Sequence, residues 1–119
     1  MKGFALAVVF ALSSSGAGVE SSIVGTYTCT GTRGPQAYTL RLVVHPFGET
    51  YQLVWTADQG QAAIGLGVRD GDAVAVTLVS PGGELGVAHY VISPGRLAGV
   101  WSTGDGRVHR EVCTQGQPT

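Results

Sequence analysis

The sequence predicts an all-β domain, an eight-stranded antiparallel up-and-down barrel of calycin-like plan. Three observations carry that prediction. Nineteen glycines accompany abundant Val and Thr, and no Ala/Glu/Lys-rich block favours a helix. Seven turn signals divide the chain into short runs of similar length. The two cysteines, Cys29 and Cys113, stand in the first and last of those runs.

The turn signals are "TRGPQ" (32–36), "HPFGE" (45–49), "ADQGQ" (57–61), "RDGDA" (69–73), "SPGGE" (80–84), "SPGR" (93–96) and "GDGR" (104–107). Glycine supplies positive φ, proline fixes φ, and Asp-Gly favours a two-residue hairpin turn. Strands are therefore expected at 22–30, 37–45, 49–57, 61–69, 72–80, 84–93, 96–103 and 107–114.

Alternation sets the facing of most of them. The second strand puts Tyr38, Leu40, Leu42 and Val44 on one face, against Thr39 and Arg41. The third groups Tyr51, Leu53 and Trp55 against Gln52 and Thr56. The fourth sets Ile64, Leu66 and Val68 opposite Gly65, Gly67 and Arg69, and the fifth offers Val74, Val76 and Leu78. The sixth, "LGVAHYVIS" (85–93), is apolar on both faces, so its facing is open. "YQLVWTADQGQ" (51–61) echoes "RLAGVWSTGDGR" (96–107), either as a duplicated hairpin or as the common grammar of a hairpin with one buried Trp.

Closing eight strands into a barrel removes exposed edges and makes the first and last strands neighbours. Cys29 and Cys113 are expected to form a disulfide across that junction. A β-sandwich with paired terminal strands satisfies the same constraint. On the chain-entropy model a loop of about 85 residues contributes roughly 4–5 kcal/mol. The last strand admits two registers. With Cys113 inward, Glu111 and His109 face inward too. With Cys113 outward, Val108, Arg110 and Val112 do, and Val108 and Val112 make the more natural core. A buried Glu111 needs donors, which Tyr27, Trp55 and Trp101 are placed to supply.

The N-terminus reads as a secretory signal peptide. A short basic start precedes the apolar run "FALAVVFAL" (4–12) and the small residues "SSSGAG" (13–18). That run is too short to span a bilayer. The expected organisation is a signal peptide over 1–18 and one barrel domain over 19–119, secreted or periplasmic, with no membrane span after cleavage.

Seven Lys+Arg balance eight Asp+Glu, and the lone lysine is Lys2. No basic stripe is present to neutralise phosphates, which disfavours nucleic acid and anionic lipid as partners. No G-x-S-x-G, H-E-x-x-H or phosphate loop occurs. His45, His89 and His109 stand singly, and their spacing requires no metal. Most carboxylates fall in turns, whereas Glu111 lies mid-strand beside aromatics. No catalytic residue, metal or cofactor is expected. The aromatics Tyr27, Tyr38, Tyr51, Tyr90, Trp55 and Trp101 either fill the interior or line a barrel mouth.

Several stretches resemble a family of small exported bacterial β-barrels often labelled fibronectin-binding proteins. They are "GTYTCTG" (25–31), "YQLVW" (51–55), "AIGLGVRDGDAVAV" (63–76), "GVAHYVISPGRLAGVWS" (86–102) and Glu111. The resemblance implies an adhesin-like role and assigns no binding residue. "RVHREVC" (107–113) departs from the family's usual closing segment by carrying the second cysteine. "YTCTG" (27–31) and "VC" (112–113) also make the plan similar to periplasmic inhibitors of c-type lysozyme, small barrels with a disulfide joining the chain ends. Their inhibitory Ser-Gly loop with a following Lys is missing here.

The expected function is an exported, non-enzymatic binding module for a protein or cell-envelope macromolecule. The alternative is a lipocalin-like barrel for a small ligand, or a lysozyme-inhibitor-like protein. The ligand-binding candidates are Tyr27, Trp55, Trp101 and Glu111. An interior pocket bounded by Trp55, Trp101 and Tyr27 would mark a ligand barrel. A filled interior with an exposed apolar or aromatic patch would mark a macromolecular binder.

Overall fold

The computed structural model describes residues 21–116. The expected signal peptide lies outside the described residues. Eight strands follow in order: β1 (Gly25–Arg33), β2 (Gln36–Phe47), β3 (Thr50–Ala57), β4 (Gly60–Asp70), β5 (Ala73–Val79), β6 (Leu85–Ser93), β7 (Arg96–Ser102) and β8 (His109–Gln115). Each pairs antiparallel with its sequence neighbours, and β8 pairs back onto β1, so the sheet is a closed up-and-down barrel. The expected fold class is the observed one, and each strand boundary falls within a few residues of its expected place. The β-sandwich alternative is excluded by closure.

Turn chemistry makes the tight connections. The Pro94-Gly95 turn between β6 and β7 carries φ +68° at Gly95, a backbone region glycine enters without steric cost. Gly71, with φ +62°, does the same between β4 and β5.

The barrel has two unlike ends. At one end lie the β2–β3, β4–β5 and β6–β7 turns. Here Ile23, ahead of β1, is buried among Tyr27, Leu42, Val44, Leu53, Val74 and Leu97 in one apolar core. Tyr27 Oη donates to the Ile23 carbonyl at 2.8 Å, which ties this plug to β1. At the other end lie the β1–β2 and β3–β4 turns and the two longer loops, 80–84 and 103–108.

Facing follows volume as well as alternation. On β4 the glycine side points inward, and Leu66 and Val68 are exposed. A Cβ on Gly67 would lie 3.0 Å from Leu53 Cδ1, and one on Gly65 3.1 Å from Trp55 Cζ3. The interior of an eight-stranded barrel just holds its side chains. Leu53 and Trp55 therefore take the space that β4 leaves. On β6, Gly86, Ala88, Tyr90 and Ile92 point inward, while Leu85, Val87, His89 and Val91 point outward.

Cys29 and Cys113 face each other directly across the β1–β8 junction and form a disulfide with Sγ–Sγ 2.04 Å. Both are fully buried. This selects the inward register for Cys113. His109 and Glu111 are buried with it, and Val108 is 71% exposed. The reading of Val108 and Val112 as core is thus corrected: the pairing with Cys29 decides the register, and the valines follow.

The disulfide spans 84 residues of sequence. Replacing both cysteines (Cys29→Ala with Cys113→Ala) is expected to cost about 2–5 kcal/mol, read from the urea midpoint at unchanged slope. Unchanged stability would show that closure does not depend on the clasp.

Candidate functional site

Glu111 organises the open end. It is 3% exposed and sits on β8 between β1 and β7. Its register partner on β1 is Gly31, and its partner on β7 is Gly99. One strand further on each side the partners are Tyr38 and Tyr90. The row across five strands thus reads Tyr38, Gly31, Glu111, Gly99, Tyr90. The two glycines leave their positions bare, and each tyrosine reaches over one of them to the carboxylate. A Cβ on Gly31 would strike Tyr38 Oη and the Arg110 carbonyl. A Cβ on Gly99 would strike the β6 backbone at His89.

Tyr38 Oη donates to Oε1 of Glu111 at 2.9 Å. Tyr90 Oη donates to Oε2 at 2.6 Å, and Trp55 Nε1–H donates to the same oxygen at 3.3 Å. Trp101 Nε1–H donates to Tyr38 Oη at 2.8 Å, extending the chain by one link. The β2–β3 hairpin therefore supplies Tyr38 and Trp55. The β6–β7 hairpin, four strands away, supplies Tyr90 and Trp101. A buried carboxylate is tolerable only when its oxygens have hydrogen-bond partners, and three neutral donors give each oxygen at least one here.

Above Glu111 an open cavity of about 230 Å³ leads to solvent. Leu40, Ala62, Ala63 and Leu78 form its apolar wall, and Tyr38, Tyr90, Trp55 and Trp101 its aromatic wall. Arg33, Ser80, Glu84 and Thr103 stand at the rim. Trp101 is held from several sides. The Arg33 guanidinium lies 5.6 Å from its ring centroid, Tyr38 meets it edge-on at 6.1 Å, and the His109 ring lies tilted at 4.5 Å. His109 in turn donates from Nε2 to Asp105 Oδ2 at 2.9 Å. That hydrogen bond, with one from the Arg107 N–H, holds the Asp105 carboxyl below its ordinary range.

Burial pushes the Tyr38 hydroxyl far above its ordinary value of 10.0, and the Glu111 charge and hydrogen bond push it further. Tyr90 is raised for the same reasons in the same order. Both therefore stay protonated through the neutral range and act as fixed donors.

The structure brings together three of the four expected ligand-binding residues. Trp55, Trp101 and Glu111 line the cavity. Tyr27 does not. It belongs to the packed opposite end, where burial raises its pKa and the nearby Arg69 charge partly offsets the rise. Tyr38 and Tyr90, grouped above with the general aromatics, make the closest contacts to Glu111. Two signals point to them: Tyr38 alternates with Leu40 and Leu42, and Gly31 and Gly99 sit where the barrel register sets them beside Glu111. Among the histidines, His45 and His89 are exposed on β2 and β6, away from buried His109. The sulfurs of Cys29 and Cys113 and an oxygen of Glu111 lie within 4.8 Å of one another. The sulfurs are bonded to each other and offer no thiolate. Cys113 Sγ simply abuts Glu111 Oε2 at 3.3 Å.

Two measurements check this arrangement. Gly31→Ala is expected to cost about 1–3 kcal/mol in urea unfolding and to shift the Trp101 indole N–H resonance, because Tyr38 must move. Gly82→Ala, whose Cβ would meet nothing nearer than 4.0 Å, is the control and should be neutral. The second measurement is alkaline titration. Tyr27, Tyr38 and Tyr90 have folded-state pKa values above the unfolded 10.0. The folded state then holds protons that the unfolded chain gives up. Their contribution is complete below pH 10.0 and is lost as pH rises toward the folded values. Tyrosinate absorbance of these three should appear together with unfolding. Ionisation of all tyrosines near the ordinary value, with the fold intact, would contradict the geometry.

Comparison of the chain with models of known protein families, and with curated proteins, finds no match.

Proposed function

We propose that this protein is a non-enzymatic barrel that binds a small ligand in its open end. The observation that carries the reading is the cavity itself. It combines an apolar wall, four aromatic side chains and one buried carboxylate, the mix that orients a small molecule. At about 230 Å³ it lies below the roughly 300–1,000 Å³ of drug-sized sites, so the ligand is small. Because Tyr38, Tyr90 and Trp55 already hold Glu111 in place, the floor is preorganised and loses little on binding. The buried disulfide accords with an oxidising compartment, outside the cytoplasm.

A second reading, a macromolecular partner on the outer surface, has one observation in its favour. Leu66, Val68, Val87 and Val91 are all exposed on β4 and β6, which flank β5. The two readings differ in where the partner sits.

Trp55 and Trp101 are the chain's two tryptophans and both line the cavity, so their indole N–H resonances report on its occupancy. In a titration with 2-phenylethylamine, 2-phenylethanol and phenylacetate, at least one is expected to shift both resonances with saturation. Ala63→Phe, which fills the space opposite Trp55, should abolish the shift. If none of the three moves either resonance, the ligand-barrel reading fails. An outside partner would likewise leave both signals in place.

A further inference from the structure

We propose that the cavity takes an organic cation: an ammonium on a small apolar group, its N–H directed at Oε1 of Glu111. The proposal rests on the ligand-barrel reading and names the chemical class of the ligand.

The first argument is charge. Glu111 is 3% exposed, and all three of its hydrogen-bond donors are neutral. Among the described residues no Arg or His nitrogen lies within ion-pair distance of it. Buried carboxylates are ordinarily paired with a cation or a metal. Here the space where a cation would stand is the cavity.

The second argument is acceptor capacity. An ionised carboxylate has about four lone-pair positions. Oε2 accepts from Tyr90 and Trp55 and lies against Cys113 Sγ. Among the described residues Oε1 accepts from Tyr38 alone. One position is left, and it belongs to Oε1.

The third argument is desolvation. Forming an ion pair in a protein interior is costly because both ions lose water. Glu111, at 3% exposure, has already given up most of its water on folding, so the main further cost is the dehydration of the ligand ammonium. The aromatic wall lowers that cost, since ring faces attract cations. Arg33 already uses the Trp101 ring this way.

The rim does not bar a cation. Arg33 stands there, but Glu84 lies 3.9 Å and Asp105 4.0 Å from its guanidinium. An anionic ligand, by contrast, would meet the Glu111 charge at the floor. Leu40, Ala63 and Leu78 supply the surface for the apolar part.

The three phenyl compounds named above share a scaffold and differ in charge, so they test the class directly by calorimetry on the whole folded protein. 2-Phenylethylamine is expected to bind at least about tenfold more tightly than 2-phenylethanol, the margin of a charge-assisted over a neutral hydrogen bond. Phenylacetate should bind most weakly. Glu111→Gln should bring the amine and the alcohol together. Binding of the alcohol or the acid as tightly as the amine overturns the proposal while leaving the ligand barrel standing. So does an amine preference that survives in Glu111→Gln. The wild-type order alone decides the matter if that variant does not fold. Failure of all three to bind removes the ligand barrel and the proposal together.

Discussion

The junction of β1 with β8 is the constraint on which the rest depends. Side chains alternate along a strand, so a slip of one residue at this seam would exchange the inner and outer faces of β8. Hydrophobic patterning alone argues for the slipped register, since it would bury Val108 and Val112 and expose Glu111. The structure does the reverse, because Cys29 and Cys113 are opposite one another and bonded. Full burial of two valines is worth about 3–6 kcal/mol, comparable to the clasp at about 2–5 kcal/mol. The disulfide holds this register together with the hydrogen bonds made to the inward Glu111. The clasp therefore does more than close the sheet. It drives a carboxylate into the interior.

That burial is tolerable because of what surrounds the seam. Gly31 and Gly99 flank Glu111 in register, and the tyrosines beyond them supply two of its three hydrogen bonds. A network only half satisfied would be worse than an apolar core. Here the links run from Trp101 through Tyr38 to Glu111, and from Trp55 and Tyr90 to the same group. The tyrosine-over-glycine arrangement also keeps the aromatic rings at the wall and leaves the space above them open. At the opposite end the buried Tyr27 hydroxyl finds its partner in the Ile23 carbonyl, and Ile23 and Tyr27 join Leu42, Leu53 and Leu97 in the core.

The strand count, the closure and the disulfide were legible because they rest on turn chemistry and on two cysteines, which are local or discrete signals. The membership of the site was legible in part. Alternation tells which side of the sheet a residue faces, but not its height along the barrel axis. Tyr27 and Trp55 both face inward and both pair with Leu42, yet they belong to different ends. The tilt and stagger of barrel strands carry a row of register partners along the axis as it runs round the sheet. Sequence spacing does not display that stagger. Tyr38 and Tyr90 were hidden for a related reason. Their role depends on glycines two strands apart that only the closed register brings to Glu111.

The outer surface follows from the same interior demand. On β4, Gly65 and Gly67 face inward because Trp55 and Leu53 occupy the space beside them. On β6, Gly86 yields to Leu78, and Ala88 lies opposite Trp101. Strands that place small residues inside must carry their larger ones outside. Leu66, Val68, Val87 and Val91 are the residues so displaced. An apolar exterior on β4 and β6 is thus a steric consequence of fitting two tryptophans and two long leucines into a narrow barrel, and it requires no partner to explain it. The cavity has no such explanation. Valine or leucine at Ala62 or Ala63 would narrow it with ordinary strand-forming side chains, and the chain instead has alanines there, lining a cavity of about 230 Å³ together with a carboxylate that has one unused acceptor position. The interior, more than the exterior, is where this sequence departs from what stability alone would select.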